Sequence, residues 1–421
     1  MPNEFLGIFI VSCVAVLAPL LNRAVLAHVP IVAIELVLGV LIGPSVAGLV
    51  ETDPAISFLG KLGLLFLFFQ AGFEFKLREV GAQALRVGAM AWLVSFGAAI
   101  VISLLFYAAG LVSAPLLVAI ILPTTAFGVL LPMLRQAGEV ETEFGHYVLA
   151  AAAIGEIGPL LLASVALAPQ NHHFHQSLLS LLFLCVALAG VLLLARLRSH
   201  RLTALIVRLL GKGDILPVRV AILLLLGFVS LAGRFGMETV IGAYFAGLSV
   251  ALLVDGTRAQ ALEERLTTID SGFLAPIFFI ASGIEFDLRA LVASPASLAL
   301  FALFCVAFLV IRTAPLFLYR GLLPARDLPA LALLASTTLP LVVAISYLGL
   351  RIGALAPGDA SALVGAAVVT VTVFPTLALT FRAASRAAQP PGPLESVVAK
   401  LADGNAAQAE RLFARVQQMR R

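Results

Sequence analysis

One short motif occurs twice in this chain, as Gly72-Phe-Glu-Phe-Lys-Leu-Arg78 and as Gly283-Ile-Glu-Phe-Asp-Leu-Arg289, and each copy follows a Phe-rich apolar run. The two copies lie 211 residues apart. At a similar spacing of 213 residues, Thr124-Thr125 and Thr337-Thr338 each lie in an apolar segment close to a proline. Two matches at nearly one spacing indicate an internal repeat.

The composition around this repeat excludes a soluble protein. Of 421 residues, 61% are hydrophobic and 12% are charged, whereas an ordinary soluble domain has about 25% charged residues. A membrane-spanning helix needs about 20 apolar residues. The apolar runs predict thirteen such spans, near residues 5–21, 29–50, 56–73, 87–109, 113–134, 144–168, 177–195, 217–233, 239–254, 271–286, 296–319, 328–349 and 360–381.

The spacing of the repeat predicts that its two copies are inverted. The third and tenth spans are seven helices apart, as are the fifth and twelfth. An odd separation places the two copies in opposite orientations across the bilayer. Inverted repeats with broken helices that meet near the membrane midplane are typical of secondary transporters. We therefore expect an all-α polytopic membrane protein with inverted repeats and discontinuous helices.

The basic residues predict the orientation. Lysine and arginine concentrate in alternate loops and in the tail after residue 381, so the positive-inside rule places the N-terminus outside and the C-terminus in the cytoplasm of an inner (plasma) membrane. We expect residues 1–381 to form the membrane domain. Residues 382–421 are predicted to be a short cytoplasmic tail with an amphipathic helix at the bilayer surface.

The main candidate for a binding group is Glu156, near the centre of the sixth span among small and apolar residues. Ionisable residues deep inside a membrane are costly and mark functional sites by default. Because burial penalises the charged form of a carboxyl group, Glu156 could bind a proton or, when ionised, a monovalent cation. Binding of one excludes the other, which is the basis of cation/proton exchange without any chemical reaction.

Other polar residues in the spans each allow two interpretations. Arg312 could extend towards the cytoplasmic interface or act as a charge partner for a carboxylate. The pairs Thr124-Thr125 and Thr337-Thr338 could bond to the preceding helical turn. Alternatively, they could bind a cation beside backbone carbonyl groups that the nearby prolines leave without donors.

Several carboxylates are secondary candidates. Glu35 lies about two turns into the second span. Glu74 and Glu285, in the two motif copies, could equally be helix-end residues that reach the lipid headgroups. Asp270 is interpreted as a helix cap at the start of the tenth span. The histidine-containing loop 171–175 is interpreted as solvated, because no carboxylate or cysteine completes a metal-ligand set.

These residues resemble the monovalent cation:proton antiporter 2 family, which includes sodium/proton and glutathione-gated potassium exchangers. The second span, Pro30-Ile-Val-Ala-Ile-Glu-Leu-Val-Leu-Gly-Val-Leu-Ile-Gly-Pro-Ser45, is similar to the family's opening signature. Leu62 through Glu74, Ala275-Pro-Ile-Phe-Phe-Ile-Ala-Ser-Gly283 and Thr124-Thr-Ala126 are similar to later family segments, and Arg312 falls where the family often has a basic residue. The resemblance covers about residues 5 to 381.

The resemblance implies a sodium/proton antiporter-like fold with crossing discontinuous helices, and a homodimer in which a six-helix core moves as an elevator against a dimerisation domain. It also implies that the family's paired polar and acidic site falls on Gly155-Glu156. Here the sequence departs from the family, because Gly155 has no polar side chain. A single carboxylate would fit the exchange of one cation for one proton, which is a hypothesis.

Two alternatives remain open at the level of sequence. The chain could transport another solute with protons on the same fold, or it could be a non-transporting membrane sensor or scaffold with the C-terminal helix as its output. No Ser/His/Asp set, metal motif or phosphate-binding glycine loop occurs, so we expect no enzyme activity, no cofactor and no metal. The expected partners are a monovalent cation, protons and the lipid bilayer, and not a nucleic acid.

Overall fold

The computed structural model describes residues 4–24, 29–51, 53–74, 81–166, 215–235, 239–254 and 257–387. Regular structure in these residues is helical, apart from one isolated bridge between Arg320 and Leu323. The predicted seventh span (177–195), the loop 171–175 and most of the predicted tail lie outside the described residues.

The helices described before residue 167 are α1 (Glu4–Ala24), α2 (Ile31–Ile42), α3 (Pro54–Glu74), α4 (Ala82–Ala108), α5 (Pro115–Ile121), α6 (Phe127–Gln136) and α7 (Glu143–Ala166). The predicted fifth span is thus two half-helices, α5 and α6. The break has a local cause, because Pro123 has no N–H and its ring cannot follow a helical turn. The helix of the fifth span is therefore interrupted at Thr124 and Thr125.

The helices described after residue 214 are α8 (Leu216–Arg234), α9 (Thr239–Leu253), α10 (Thr257–Ile269), a π-helical segment (Asp270–Leu274), α11 (Ala275–Glu285), α12 (Leu288–Val292), α13 (Pro295–Thr313), two 3₁₀ turns (Ala314–Tyr319 and Ala325–Asp327), α14 (Leu328–Ala335), α15 (Pro340–Arg351) and α16 (Pro357–Ala387). The twelfth span is also broken, into α14 and α15. Pro340 is the first residue of α15, where its missing N–H costs no helical hydrogen bond.

Nine helices of the described residues are long and apolar enough to cross a bilayer, when helices that continue directly into one another are counted together, and α2 and α9 are shorter apolar helices. This agrees with a polytopic membrane fold. The count of thirteen spans stays a prediction.

The interpretation of Asp270 as a helix cap is wrong. The helix that contains it begins thirteen residues earlier, because α10, the π-helical segment and α11 follow one another without a gap. The charged residues before Asp270 suggested a loop, but they lie on one side of α10, while Leu262 and Leu266 are buried on the other. Asp270 is therefore a buried residue inside a helix.

The described helices pack in two groups. The first consists of α1, α2, α3, α8, α9 and the continuous helix of α10 and α11, and the second of α4, the broken pair α5 and α6, α7, α12, α13, the broken pair α14 and α15, and α16. Only a few contacts join the groups, including those of α6 with α3 and of α7 with α9. The two broken pairs lie together in the second group.

Helix α3 runs antiparallel to the continuous helix formed by α10 and α11. Ser57 near the start of α3 donates a hydrogen bond to Glu285 at the end of α11 (3.4 Å), and Gln70 near the end of α3 donates to Thr267 of α10 (2.9 Å). The helices approach closely at Gly63, where a Cβ would lie 2.2 Å from the carbonyl oxygen of Leu274. The described start of the first motif copy, Gly72 to Glu74, and the second copy therefore lie at opposite ends of one helix pair, as inversion requires.

Candidate functional site

The two helix breaks touch each other at the threonine pairs. The hydroxyl oxygens of Thr124 and Thr338 are 2.6 Å apart, and the backbone N–H of Ala126 donates to the carbonyl oxygen of Thr337 at 2.8 Å. All four threonines of the two pairs are buried. The crossing brings together residues that are more than 200 positions apart in the sequence.

The threonine hydroxyls divide into two kinds. Thr124 and Thr337 donate to the carbonyl groups of Ile121 (2.7 Å) and Leu333 (3.1 Å), in the preceding turns of their own half-helices. Since a hydroxyl has one proton, Thr338 must be the donor in its contact with Thr124. Back-bonding, the alternative considered for these residues, therefore describes one threonine of each pair.

Thr125 links three elements. Its hydroxyl donates to the carbonyl oxygen of Ala335 at the end of α14 (2.7 Å), and its backbone N–H donates to the carbonyl oxygen of Gly155 in α7 (3.0 Å). The same hydroxyl oxygen accepts a hydrogen bond from Nη2 of Arg312 at 2.6 Å. The first break is thereby fixed to both the second break and the helix that carries Glu156.

Glu156 lies in the middle of α7 and is 2% exposed. Its carboxylate accepts a hydrogen bond from the backbone N–H of Phe127, the first residue of α6. The N–H groups in the first turn of a helix have no intrahelical partner and carry the positive end of the helix dipole. The half-helix α6 therefore provides positive electrostatic potential for an ionised Glu156 without a basic side chain.

A residue of the first helix group also faces Glu156. Tyr244 of α9 is buried, and its phenol interacts electrostatically with the Glu156 carboxylate. Because α7 and α9 belong to different groups, Glu156 lies at the boundary between the groups rather than deep inside one of them.

Arg312 is buried, with 4% of its surface exposed. Its Nη2 donates to the carbonyl oxygen of Pro123 as well as to Thr125. Nε1 of Trp92 donates to the same carbonyl oxygen at 3.2 Å. This carbonyl follows the C-terminal end of α5, which carries the negative end of that helix dipole. The guanidinium points into the crossing, unlike an arginine that reaches the membrane surface.

The described residues show no ion pair between Arg312 and a carboxylate. Arg312 and Glu156 instead meet opposite ends of the first broken helix: the cation meets the carbonyl end of α5, and the carboxylate meets the N–H end of α6. A role for Arg312 as a charge partner stays a prediction.

Gly155 is required by this arrangement. A Cβ at residue 155 would lie 2.5 Å from Oγ1 of Thr125 and 2.7 Å from Nη2 of Arg312. Both distances are below van der Waals contact, and both neighbouring atoms are held by hydrogen bonds. The Arg312 guanidinium and the Thr125 hydroxyl thus fill the space that a side chain at residue 155 would occupy.

Comparison with known proteins places this architecture in a family. Residues 10–379 match the family model of the transmembrane sodium/hydrogen exchangers. The chain belongs to the sodium/hydrogen exchanger family. Its fold is also similar to that of the sodium proton antiporter MjNhaP1 from Methanocaldococcus jannaschii at pH 8, with a TM-score of 0.64, 16% sequence identity, and coverage of 91% of this chain and 97% of that one.

Relatives of this chain occur in bacteria and plants. YjbQ of Bacillus subtilis, which is named as a candidate Na(+)/H(+) antiporter, is 28% identical over 382 residues, covering 86% of this chain and 61% of YjbQ. Cation/H(+) antiporter 18 of Arabidopsis thaliana is 30% identical over 283 residues, covering 61% of this chain and 34% of the relative. This chain thus matches only part of the length of each, and it is a multi-pass membrane protein like the family.

Three predicted carboxylates lie elsewhere in this exchanger fold. Glu35 is buried on α2, in the first helix group. Glu74 and Glu285 are the last residues of α3 and α11, which is the position expected of helix-end residues. Glu74 accepts a hydrogen bond from Gln70 at 2.9 Å, and Glu285 accepts one from Ser57. The crossing therefore gathers Gly155, Glu156, Arg312 and the threonines, but not these three.

Sequence reasoning missed three residues that support the crossing. Trp92 and Tyr244 contact the first break and Glu156, as described above. Thr370 of α16 holds the second break, because its hydroxyl oxygen accepts from the backbone N–H of Thr338 (3.2 Å). The single hydroxyl proton is within reach of two carbonyl oxygens, that of Ala367 in the same helix (2.8 Å) and that of Thr338 (3.0 Å). The only signal in the sequence was that Trp92 is the single tryptophan of the chain.

Proposed function

We propose that this protein exchanges a monovalent cation, sodium or potassium, for protons across the inner membrane of the cell by alternating access. The observation that supports this most is the buried carboxylate of Glu156, which lies at the N-terminus of a half-helix where two broken helices cross. The names of the relatives as Na(+)/H(+) and cation/H(+) antiporters favour the same ions. Because the chain spans 61% of the length of YjbQ, the activity is transferred to it as a proposal.

Exchange follows because a cation and a proton compete for the Glu156 carboxylate. An ionised Glu156 attracts a cation, and the hydroxyl oxygens of Thr124, Thr125, Thr337 and Thr338 at the crossing are neutral oxygen atoms that can replace its water. A proton on the carboxyl group removes the charge and releases the cation. Since only one of the two occupies the carboxylate at a time, each reorientation of the site carries either a cation or a proton.

The neighbourhood of Glu156 favours an exchange of one cation for one proton. Gly155 supplies no second titratable side chain, and Arg312 is bound to the first break through its hydrogen bonds to Pro123 and Thr125. If Arg312 keeps its proton throughout the cycle, the site has the same net charge when it holds a cation as when it holds a proton. Exchange would then be electroneutral and insensitive to the membrane potential.

The two helix groups suggest how access alternates. We propose that the second group, which carries the crossing, slides as a core against the first group, which forms the dimer interface of a homodimer. Glu156 lies at the boundary between them and faces Tyr244 from the first group. Sliding would move the carboxylate past a nearly fixed surface, from the outside to the cytoplasmic side where the basic loops are predicted to lie.

Proton flux in proteoliposomes tests the proposed function. With a trapped pH-sensitive dye, addition of sodium or potassium to the wild type should produce cation-driven proton flux, and Glu156→Gln should abolish it because a neutral amide can neither bind a proton nor provide charge. Glu264→Gln, at an exposed position of α10, should retain the flux. Undiminished flux in a monodisperse Glu156→Gln preparation would refute the assignment.

The same vesicles test the stoichiometry. With the membrane potential clamped by an ionophore at several values, the rate of cation-driven proton flux should stay constant. A rate that changes with the potential would show that charge moves in each cycle, and that Arg312 or another group titrates as well.

A further inference from the structure

We propose that Gln70, Glu74, Thr267 and Asp270 form a second binding site for a monovalent cation, separate from the crossing. This site lies between α3 and the continuous helix of α10 and α11, at the end of the protein that the basic loops place in the cytoplasm. The inference rests on the proposed function for the identity of the ion, and on the geometry below for the existence of the site.

Four polar side chains meet there from two helices. Gln70 and Glu74 are one turn apart on α3, and Thr267 and Asp270 are one turn apart on the facing helix. Nε2 of Gln70 donates both to Oε1 of Glu74 and to Oγ1 of Thr267, each at 2.9 Å. The Asp270 carboxylate is close enough to Glu74 for their charges to interact. The four residues therefore form one compact group of oxygen-bearing side chains.

Two oxygen atoms of this group have no hydrogen-bond partner within the part of the chain that the structure describes. They are Oε1 of Gln70 and Oδ1 of Asp270, and their residues are 6% and 7% exposed. The orientation of the Gln70 amide is fixed, because its nitrogen must face the Glu74 carboxylate. A buried oxygen acceptor without a donor is destabilising. A bound cation would satisfy both oxygens and the charge of Asp270.

The chemistry of the group selects a monovalent ion. Carboxylate, amide and hydroxyl oxygens are hard ligands suited to alkali and alkaline-earth cations. The described residues contain no group of three or more His, Cys, Asp or Glu side chains that could hold a metal ion. One of the two carboxylates is also partly balanced by Arg135, whose Nη1 lies 4.0 Å from Oε1 of Glu74. The remaining charge therefore matches one positive charge better than two.

Arg135 connects this site to transport. It is the penultimate residue of α6, the half-helix whose first residue binds Glu156, and its Nη2 also lies 3.0 Å from Oε1 of Glu263 on α10. The two ion pairs cross from the second helix group to the first. If the second group slides as proposed, Arg135 leaves Glu74 and Glu263, and the added negative charge of Glu74 holds the cation beside Asp270 and Gln70 more strongly. The second site would thus have a higher affinity for a cation once the second helix group has moved away.

Equilibrium binding of radiolabelled sodium and rubidium to the purified full-length protein tests this site. Glu156→Gln removes the carboxylate of the crossing, so any cation still bound occupies another site. We expect Glu156→Gln to retain binding, and the addition of Asp270→Asn to weaken that residual binding by about tenfold or more, because one charged ligand is lost. Adding Glu264→Gln instead, on the same helix but exposed, should leave it unchanged.

A milder variant separates ligand loss from misfolding. Thr267→Val in the Glu156→Gln background removes one neutral oxygen and should weaken the residual binding by a smaller factor than Asp270→Asn, while the protein stays monodisperse. Absence of residual binding in Glu156→Gln, or residual binding that neither Asp270→Asn nor Thr267→Val weakens, would overturn the second site. Neither result bears on whether Glu156→Gln abolishes exchange, so the two proposals fail separately.

Discussion

The two helix breaks are copies of one repeat, yet their surroundings differ in charge. At the first break, the carbonyl oxygen of Pro123 accepts from the Arg312 guanidinium and from Trp92, and the Glu156 carboxylate lies at the following helix start. At the second break, Thr338 is held by the neutral hydroxyl of Thr370. Both breaks leave backbone groups that need partners in a membrane, but among the described residues only the first meets that need with ionisable side chains.

Although the two breaks are copies of one repeat, they therefore have different roles. The first break fixes the charges of the site, because a carboxylate and a guanidinium lie on its two sides. The second break supplies uncharged groups. The hydroxyl of Thr338 and the carbonyl oxygen of Ala335 form hydrogen bonds with the threonines of the first break. We therefore expect substitutions around the first break to change transport more than equivalent substitutions around the second.

After Glu156→Gln, the largest effect is expected for Arg312→Met. This change leaves the Pro123 carbonyl with Trp92 as its donor and takes the charged donor away from Thr125. Hydrogen bonds to charged groups contribute about 1.5–3 kcal/mol each, so we expect a loss of roughly 3 kcal/mol in stability. Thermal unfolding in detergent measures the stability, and cation-driven proton flux should fall by about tenfold or more.

Arg320→Met is the matched control for this change, because Arg320 is exposed in the loop after the same span. It should alter neither the unfolding temperature nor the flux. Equal behaviour of the two variants would show that the guanidinium in the crossing has no special role.

A smaller effect is expected for Gly155→Ala. The added methyl group would lie 2.5 Å from Thr125 Oγ1 and 2.7 Å from Arg312 Nη2, so both must shift. Overpacking of a filled interior costs about 1–3 kcal/mol. Gly97→Ala, where no heavy atom lies within 4 Å of the new Cβ, is the control and should be neutral.

Combining Gly155→Ala with Arg312→Met tests the cause. Because the methionine removes one of the two clashing atoms, the combined loss of stability should be smaller than the sum of the single losses by at least about 0.5 kcal/mol. Additive losses would mean that residues 155 and 312 do not compete for the same space.

The parts of this site that could be predicted are those with a local signal. Prolines beside threonines mark the two breaks, and an ionisable residue in the middle of an apolar span marks Glu156. The contacts of Arg312, Tyr244 and Thr370 have no such signal, because each joins helices far apart in the sequence and depends on how those helices pack. The error at Asp270 has a related origin: charges on one face of α10 resemble a loop until the buried face opposite them is known.

The smallest effect is expected for Thr370→Val, at the second break. The valine leaves the N–H group of Thr338 without its acceptor, and interhelical hydrogen bonds in membranes contribute about 0.6 kcal/mol on average and at most about 1.7. Thr372→Val is the control, because the Thr372 hydroxyl bonds to Val368 in its own helix (2.7 Å). We expect a slightly lower unfolding temperature and a threefold or smaller loss of proton flux for Thr370→Val, estimated roughly from that energy, and no change for the control. If Thr370→Val instead reduced the flux as much as Arg312→Met, the two breaks would contribute equally, and the charges at the first break would not explain how the site works.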